Sequence, residues 1–308
     1  MRIVFFGTPE FAIPFLNTLL NSENEIVAVV TQPDKRAGRG RIIHPSPVKE
    51  IAMKNGIRIM QPQNIKDDNF IQELSNLKPE IITVVAYGKI LPSQILHLPP
   101  LGCVNVHASL LPKYRGAAPI QWAIIKGESE TGVTTMLMDE GLDTGKILLQ
   151  EKTAITDQDN SETLSKRLSH IGASLLLKTI KRLKEGSIKA IPQEGIPTYA
   201  PPLKKEDGKI NWTKTAKEIF NLIRGLYPWP CAYCYLNNER IKIISAKFLD
   251  GVGIPGRIEK SKKGELTIGT GRGLISIVEL QPEGKRRMSV EAFLIGRKLE
   301  EGTSINES

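Results

Sequence analysis

The 308-residue sequence predicts an α/β fold, in which a Rossmann-like, mostly parallel sheet domain is followed by a small, OB-like β-barrel domain. Two patterns indicate this fold. In the first half, short apolar, β-prone segments alternate with helical segments, which is typical of a parallel sheet with helices on both faces. In the last third, short strand-like segments are separated by turn residues at even spacing, which is typical of small barrels. The chain is long enough for two domains with separate cores.

The first predicted elements alternate between strands and helices. Residues 2–6 form an apolar strand, and Thr8-Pro9-Glu10 then opens a helix that runs to Leu20. The segment 80–86 has the continuous apolar run of a strand that is buried on both faces. Between these elements we predict a strand at 25–31, a helix at 47–55, a short strand at 57–60 and a helix at 68–77.

Two more strands and a long helix are predicted in the second half of this domain. The strands lie at 132–138 and 146–152 and are joined by a loop. The helix spans 161–184, because apolar residues recur on one face and Gly186 lies where a C-cap is expected. These apolar residues are Leu164, Leu168, Ile171, Leu175 and Leu183.

Prolines and glycines then interrupt any regular element, and we predict a linker at 190–208 between a first domain at 1–189 and a second at 209–308. The second domain begins with a short amphipathic helix at 213–224 that ends at Gly225. Its polar tail, 300–308, is expected to be disordered. The turns between its strands are predicted at Asn237-Asn238, Lys263-Gly264 and Gly271-Arg272-Gly273.

The composition is that of an ordinary globular protein, with 40% hydrophobic and 24% charged residues. No apolar run approaches the roughly 20 residues that a membrane helix needs. The first strand begins at residue 2, without a basic-then-apolar leader, so a cytoplasmic protein is expected. The net charge is +9, and two-thirds of this excess lies in residues 204–308. Such a distribution suits a polyanionic partner, although solubility alone is an alternative explanation.

The three cysteines cannot make a disulfide framework. Cys231 and Cys234 form a Cys-x-x-Cys pair, but residues 232–236 are predicted as a strand, in which positions three apart face opposite sides. No second cysteine pair is present to complete a zinc site. We therefore expect packing cysteines and no metal.

The first turn, Gly7-Thr8-Pro9-Glu10, stands where a dinucleotide-binding sheet carries the pattern Gly-x-Gly-x-x-Gly. Only one glycine is present, and Pro9 has no amide N–H to offer a pyrophosphate. A nicotinamide or flavin dinucleotide site is therefore not expected here.

Residues 104–107 alternate between apolar and polar side chains, which predicts a strand. Asn105 and His107 are two residues apart, so their side chains lie on one face at a spacing of roughly 6.5–7 Å. A buried sheet normally carries Val or Ile at such positions. An amide donor beside a titratable imidazole therefore suggests a reaction centre at the end of a strand. The alternative is a polar sheet face that is turned to solvent.

A third polar group is predicted in the loop that joins the strands at 132–138 and 146–152. There Gly141 and Gly145 bracket Asp143, which favours a tight, non-helical platform for a carboxylate. The alternative is an ordinary aspartate turn.

Several motifs together resemble the methionyl-tRNA formyltransferases, and the resemblance covers nearly the whole chain. The Asn…His…Ser-Leu-Leu-Pro core with a later Asp is shared by all folate-dependent formyltransferases of this fold. The last two motifs given below are more particular to the tRNA enzymes. The motifs are Phe6-Gly-Thr-Pro-Glu-Phe, Val84-Val-Ala-Tyr-Gly, Asn105-Val-His-Ala-Ser-Leu-Leu-Pro, Tyr114-Arg-Gly-Ala-Ala-Pro-Ile-Gln-Trp, Gly141-Leu-Asp-Thr-Gly, Thr31-Gln-Pro-Asp-Lys-Arg-Ala-Gly-Arg-Gly and Pro228-Trp-Pro.

The resemblance implies formyl transfer from 10-formyltetrahydrofolate, a co-substrate, to the α-amino group of methionine on initiator Met-tRNA. It makes Asn105 and His107 donors to the developing oxyanion and Asp143 the proton acceptor. It also implies that a turn lies beside the folate; the alternative is a tight turn that packs under the sheet. The residues of this turn are Ser109, Leu110, Leu111 and Pro112.

Four cations, Lys35, Arg36, Arg39 and Arg41, lie in a loop with two glycines. Such a loop cannot pack into a core, but it can bind phosphates or enter a nucleic-acid groove. The resemblance implies that it grips the end of the tRNA acceptor stem, chiefly through Arg39; a solvated basic loop is the alternative. Further clusters that could follow tRNA phosphates are Lys204-Lys205, Lys260, Lys262-Lys263 and Lys285-Arg286-Arg287.

Two other functions remain open at this point. A formyltransferase of the same fold that acts on a small ribonucleotide or a nucleotide sugar would share Asn105, His107 and Asp143. It would have no use for the basic loop or for the second domain. A non-catalytic RNA-binding protein would not need Asp143 at all. We expect a monomer that binds tRNA and folate and does not bind membranes.

Overall fold

The computed structural model describes residues 1–37, 42–262, 264–295, 297 and 299–305. The chain forms two compact units. The first unit consists of Met1–Pro119, Glu130–Ala154 and Ser165–Ala200, and the second of Ile120–Ser129, Ile155–Leu164 and Pro201–Ser308. Each unit is described below by itself.

The secondary structure follows the chain with short connections. The strands are β1 (Arg2–Gly7), β2 (Glu25–Val30), β3 (Lys35–Ala37), β4 (Ile42–His44), β5 (Ile59–Met60), β6 (Ile81–Val85), β7 (Cys103–His107), β8 (Arg115–Gly116), β9 (Glu130–Leu137), β10 (Ile147–Ala154), β11 (Tyr199–Ala200), β12 (Ala232–Leu236), β13 (Glu239–Leu249), β14 (Ile258–Lys262), β15 (Glu265–Gly269), β16 (Leu274–Pro282) and β17 (Met288–Ser289). The helices are α1 (Ile13–Leu20), α2 (Pro47–Lys54), α3 (Asp68–Asn76), α4 (Ser93–Leu96), α5 (Pro119–Ile125), α6 (Ser161–Lys184), α7 (Ala216–Leu226) and α8 (Val290–Leu294), with 3₁₀ turns at Glu10–Ala12 and Lys205–Gly208.

The sheet of the first unit has the strand order β10-β9-β7-β6-β1-β2-β5. The pairs β1/β2, β1/β6, β2/β5 and β6/β7 are parallel, whereas β9 runs antiparallel to both β7 and β10. The predicted Rossmann-like, mostly parallel sheet is therefore confirmed. The strand order reverses between β1 and β6, and the carboxyl ends of β1, β6 and β7 lie at the same edge. Open sheets of this type bind their ligands at that edge.

The first predicted helix begins as a 3₁₀ turn at Glu10–Ala12 and becomes α-helical at Ile13. The other predicted elements of this unit agree with the structure to within two residues at each end. The apolar run predicted as a strand buried on both faces is β6, and all five of its side chains are buried. The long helix predicted at 161–184 is α6, with the same limits. The short strand pairs β3/β4 and β8/β11 were not predicted, because they involve too few residues to show an alternation of apolar and polar side chains.

The second unit contains an antiparallel sheet in the order β12-β13-β16-β15-β14, with β17 beside β16. Helix α7 packs on β13 and β16, and its buried face meets a core of aliphatic residues from the strands. The antiparallel second domain is confirmed. Among the described residues no pairing joins β12 to β14, so closure into a barrel stays a prediction. The turn at Asn237-Asn238 has positive φ at both residues, as tight hairpins require, and Lys263 lies outside the described residues.

Two predictions for the second unit are wrong. Helix α7 does not end at Gly225 but continues through it to Leu226. A Cβ at Gly225 would lie 2.6 Å from Ile125 Cγ1, so the glycine allows α5 and α7 to pack closely and is not a cap. The tail is also not disordered up to residue 305, because Ile305 is buried and its N–H donates to Gly256 O at 2.7 Å. Residues 306–308 lie outside the described part of the chain.

The predicted linker contains no long helix or strand, but much of it is paired with the first unit. Ile191 forms an isolated bridge with Ile147, and β11 runs parallel to β8. The domain limits that we predicted from the sequence therefore stay a prediction.

The three cysteines are free and buried. Desolvation raises the pKa of Cys103 and of Cys234 to about 12, and it also raises the pKa of Cys231. Their position agrees with the predicted packing role. In the part of the chain described here, no helix combines the length and apolar character that a bilayer crossing demands.

The start of α7 gives a testable pH dependence. Thr215 Oγ1 accepts from Glu218 N, while Thr215 N and Oγ1 both donate to Glu218 Oε2, at 2.9 and 2.8 Å. These bonds lower the pKa of Glu218. A folded-state pKa below the unfolded value means that this stabilisation is present at neutral pH and is lost as the pH falls through the folded pKa.

We therefore expect Thr215→Ala to lower the free energy of unfolding by about 1 kcal/mol at pH 7 and by less at pH 3. Urea unfolding of the full chain at both pH values measures this difference. Glu218→Gln is the matched control, because it keeps the acceptor oxygen but cannot titrate. An equal Thr215→Ala effect at both pH values would contradict the assigned role of the carboxylate.

Candidate active site

Asn105 and His107 lie on β7, between parallel β6 and antiparallel β9. They are two residues apart and share one face of the sheet at its carboxyl edge. Asn105 is partly exposed, whereas the His107 side chain is only 7% exposed. The solvated polar face that was the alternative prediction therefore does not describe the surroundings of His107.

Asp143 lies in the loop between β9 and β10, and its φ of 53° is in the left-handed region. The loop is tight, because a Cβ on Gly145 would lie 1.7 Å from Leu137 O. Asp139 closes the loop from within: its Oδ1 accepts from Gly141 N at 3.1 Å and from Thr144 Oγ1 at 2.6 Å. Gly141 and Gly145 thus lie on either side of Asp143 in a tight loop, as the sequence predicts.

The structure brings the three predicted side chains together around this carboxylate. Asp143 Oδ1 is 3.5 Å from Asn105 Nδ2, and Asp143 Oδ2 is 3.6 Å from His107 Nδ1. These distances are at or beyond the limit of a hydrogen bond. The short contact is with the main chain, since Gly116 N donates to Asp143 Oδ2 at 2.8 Å. The Asn105 amide and the His107 ring therefore stand close to one carboxylate without a short hydrogen bond to it.

The contact that His107 makes through Nε2 determines the orientation of its ring. Nε2 lies 2.8 Å from the carbonyl oxygen of Tyr114, which can only accept. The proton of the neutral ring is therefore on Nε2, and Nδ1 is the nitrogen that faces Asp143. Protonation of Nδ1 would add a second donor aimed at the carboxylate.

The turn predicted to lie beside a folate is tied firmly to the sheet. Ser109 is fully buried, and its Oγ donates to Lys113 O at 2.6 Å. Thr134 Oγ1 donates to Ser109 O at 2.7 Å and accepts from Leu111 N at 3.1 Å. The Ser109 hydroxyl therefore makes its hydrogen bond within the turn, which agrees with the alternative prediction of a tight turn that packs under the sheet. Leu110 and Pro112 remain partly exposed.

The predicted basic loop is only partly described. Lys35 and Arg36 belong to β3, whereas Arg39 and Arg41 lie outside the described residues. At the start of β3, Asp34 accepts from Lys49 Nζ at 2.5 Å and from Gln61 Nε2 at 2.8 Å. These bonds, chiefly the one from Lys49, lower the pKa of Asp34. The base of the β3/β4 hairpin is therefore anchored by a charged carboxylate.

Three contributors to the site were not predicted from the sequence: the Tyr114 carbonyl, the Gly116 amide and the Gln193 side chain. Gln193 Nε2 donates to the carbonyl oxygens of Asp143 and Gly145, at 2.8 and 2.9 Å. The two main-chain groups have no signature of their own in a sequence. Gln193 lies in the segment that we had interpreted as a linker. Among the described residues, no group of three or more His, Cys, Asp and Glu is placed to hold a metal ion.

Profiles of known families match both parts of the chain. The profile described as "Formyl transferase" matches residues 1–180, and that described as "Formyl transferase, C-terminal domain" matches residues 202–298. The methionyl-tRNA formyltransferase of Thermodesulfovibrio yellowstonii is 56% identical over 300 residues, which cover 97% of each chain. The chain belongs to the methionyl-tRNA formyltransferase family. The corresponding enzyme of Caldanaerobacter subterraneus is 52% identical over 309 residues, which cover 98% of this chain and 99% of that enzyme.

Solved formyltransferases share the fold of this family member. An N-formyltransferase from Helicobacter canadensis, in complex with folinic acid and dTDP-3-aminofucose, has a TM-score of 0.69 at 23% identity and covers 90% of this chain and 99% of its own. A sugar 3N-formyltransferase solved with dTDP and 5-N-formyl-THF has a TM-score of 0.68 at 24% identity, covering 93% and 99%. Coverage of this extent reaches into the second domain. These structures therefore share the fold of at least part of that domain, and our expectation that a sugar formyltransferase would have no use for it stays a prediction.

The tautomer of His107 can be measured in this formyltransferase. With ¹⁵N-histidine labelling, we expect His107 Nε2 to carry a proton at every pH at which the protein is folded, because its partner is a carbonyl oxygen. Comparison with His107→Asn assigns the signals among the four histidines. A neutral ring with its proton on Nδ1 would contradict the contact with Tyr114.

Proposed function

We propose that this protein transfers the formyl group of 10-formyltetrahydrofolate to the α-amino group of methionine on initiator Met-tRNA, giving N-formylmethionyl-tRNA. The observation that carries the proposal is the convergence of Asn105, His107 and Asp143 within 3.6 Å at the edge of the sheet, in a chain 56% identical to a methionyl-tRNA formyltransferase. The decisive assay mixes the purified protein with both substrates and measures N-formylmethionine. Absence of product would overturn the proposal.

The proposed chemistry uses each of the three side chains once. The amine nitrogen attacks the formyl carbon, and the carbonyl oxygen becomes an oxyanion that Asn105 Nδ2 and protonated His107 Nδ1 stabilise by donating to it. Asp143 accepts the proton that the amine loses, directly or through a water. The bond from carbon to the folate nitrogen then breaks, and that nitrogen takes up a proton. The 13% exposure of the Asp143 side chain leaves a path for the amine or for a water.

The folate is proposed to lie along the turn of Ser109, Leu110, Leu111 and Pro112. Because the Ser109 hydroxyl already donates to Lys113 O, its contribution is to hold the turn in shape. The partly exposed Leu110 and Pro112 would supply apolar contacts to the pteridine ring, as small-molecule sites commonly do. Solved relatives of the same fold contain 5-N-formyl-THF or folinic acid, which supports a folate at this fold.

The tRNA is proposed to contact the basic loop with Lys35, Arg36, Arg39 and Arg41, and the lysine and arginine clusters of the second unit. Two members of those clusters are already paired: Lys260 with Glu265 at 2.8 Å, and Arg287 with Glu279. Their positive charge is therefore partly neutralised inside the unit. A monomer in the cytoplasm completes the proposal.

A nucleotide-sugar acceptor is the second candidate, because the solved sugar formyltransferases cover almost the whole chain. Incubation with 10-formyltetrahydrofolate and a dTDP-amino sugar tests it. Transfer to the sugar, without transfer to Met-tRNA, would replace the first proposal by the second.

Substitutions at the three side chains test the proposed chemistry. We expect Asp143→Asn to lower kcat by about 10²–10⁴-fold, because the new amide keeps an acceptor for Gly116 N–H but cannot take a proton. We expect Asn105→Ala to lower kcat by about 10²–10³-fold through loss of one oxyanion donor. Steady-state transfer to Met-tRNA measures both. Asp68→Asn, at an exposed position of α3, is the control. Full activity in Asp143→Asn would exclude its proposed role.

The basic loop is tested by Arg39→Ala. We expect a large rise in the KM for tRNA and little change in folate binding, because an acceptor-stem contact is lost while the folate turn is untouched. The apparent tRNA affinity of the unmodified protein should also fall steeply with salt, as phosphate neutralisation requires. Equal losses for both substrates would mean that the loop shapes the folate site, and a flat salt response would contradict a phosphate-binding face.

A further inference from the structure

Gln193 holds the main chain of the Asp143 loop from a segment outside that loop. It lies beyond α6, in the proline- and glycine-rich segment, and is partly buried. Its Nε2 donates to Asp143 O at 2.8 Å and to Gly145 O at 2.9 Å. Its Oε1 accepts from Arg115 Nε at 3.2 Å and from Arg115 Nη2 at 2.6 Å. The amide thus uses both of its hydrogens and its oxygen.

The orientation of this amide is fixed by chemistry. The guanidinium of Arg115 can only donate, so the atom that faces it must be the oxygen. The two carbonyl oxygens can only accept, so the atom that faces them must be the nitrogen. A glutamine is the natural side chain for this position, since it combines two donors and one acceptor in one plane. Glutamate would place a negative oxygen against two carbonyl oxygens.

The Asp143 backbone needs such support. Its φ of 53° lies in the left-handed region, which L side chains rarely adopt, and the carbonyls of Asp143 and Gly145 both accept from Gln193. Without donors these carbonyls would favour a loop that relaxes to other angles. A shift of about 1 Å at a reacting group can lower the rate about 10²-fold.

The segment 114–116 connects this support to the rest of the site. Tyr114 O holds His107 Nε2, and Gly116 N holds Asp143 Oδ2. Arg115, between them, reaches Gln193, which holds the main chain of the same aspartate. One short segment therefore fixes the imidazole, the carboxylate and, through Gln193, the peptide that carries the carboxylate.

We propose that Gln193 is a positioning residue for formyl transfer, which fixes the Asp143 carboxylate against His107 and Asn105, and that Arg115 acts on the reaction through Gln193. This inference rests on the proposed function, because it requires Asp143 to act on the substrate. Gln193 itself does not touch the reacting atoms.

Three variants of the full-length protein separate the hydrogen bonds from side-chain bulk. Gln193→Met keeps the size and removes all hydrogen bonds, and Gln193→Glu keeps only the acceptor for Arg115. We expect both to lower kcat about 10–100-fold with less than a threefold change in either KM. Glu194→Gln, at the exposed neighbouring residue, should have no effect. Unchanged kcat in both Gln193 variants would overturn the inference.

A double-variant comparison distinguishes positioning from a merely structural role. If Gln193 acts through Asp143, Gln193→Met should cost less than twofold in kcat when Asp143 is already Asn. An equal loss in both backgrounds would refute the inference, because it would show an effect independent of the carboxylate. Likewise, Arg115→Ala should add little to Gln193→Met, and additive losses would show that Arg115 acts by itself.

A readout without activity keeps the test separate from the proposed function. The amide proton of Gly116 reports its bond to Asp143 Oδ2 through its NMR shift and its exchange rate. We expect Gln193→Met to shift this signal and to speed its exchange, while the unfolding temperature changes little. If Asp143→Asn left kcat unchanged but the Gly116 signal still moved in Gln193→Met, the proposed proton-acceptor role of Asp143 would fail, although Gln193 would still hold the carboxylate in place. If the signal did not move, the positioning would fail.

Discussion

The hydrogen bond from Gly116 N–H to the Asp143 carboxylate is the contact on which the site depends. This carboxylate is 13% exposed and has lost most of its water, so it needs donors from the protein. The main-chain amide supplies one at 2.8 Å, whereas Asn105 and His107 stand at 3.5 and 3.6 Å. The carboxylate is thus held by a group that cannot titrate or rotate away, and neither Asn105 nor His107 makes a short hydrogen bond to it.

The fold could be predicted where its signal is local. The continuous apolar run of β6 reflects burial of both of its faces, and the repeated leucines of α6 reflect burial of one face, so both patterns are local in the sequence. The errors arose where a contact with a residue distant in the sequence determines the role of a position. Gly225 is not a cap but a site of close packing, since a Cβ there would lie 2.6 Å from Ile125 Cγ1. Nothing within the helix sequence reveals this contact.

The candidate site likewise contains residues that have a local sequence signal and groups that have none. Asn105, His107 and Asp143 could be found because polar side chains on a strand and between glycines contradict a packed core. The carbonyl of Tyr114 and the amide of Gly116 could not, since every residue carries the same main-chain groups. Gln193 was hidden for a different reason: a segment rich in proline and glycine predicts irregular structure and does not say what that structure touches.

The burial of the three thiols has a practical consequence. Thiol reagents react with the nucleophilic thiolate, and a buried group whose pKa is about 12, as for Cys103 and Cys234, presents almost none at neutral pH. Cys231 is also buried, with its pKa raised by desolvation. A single cysteine introduced on the surface would therefore be the preferred point of attachment for a maleimide dye. Fluorescence could then follow RNA docking in the folded protein without removal of any native cysteine.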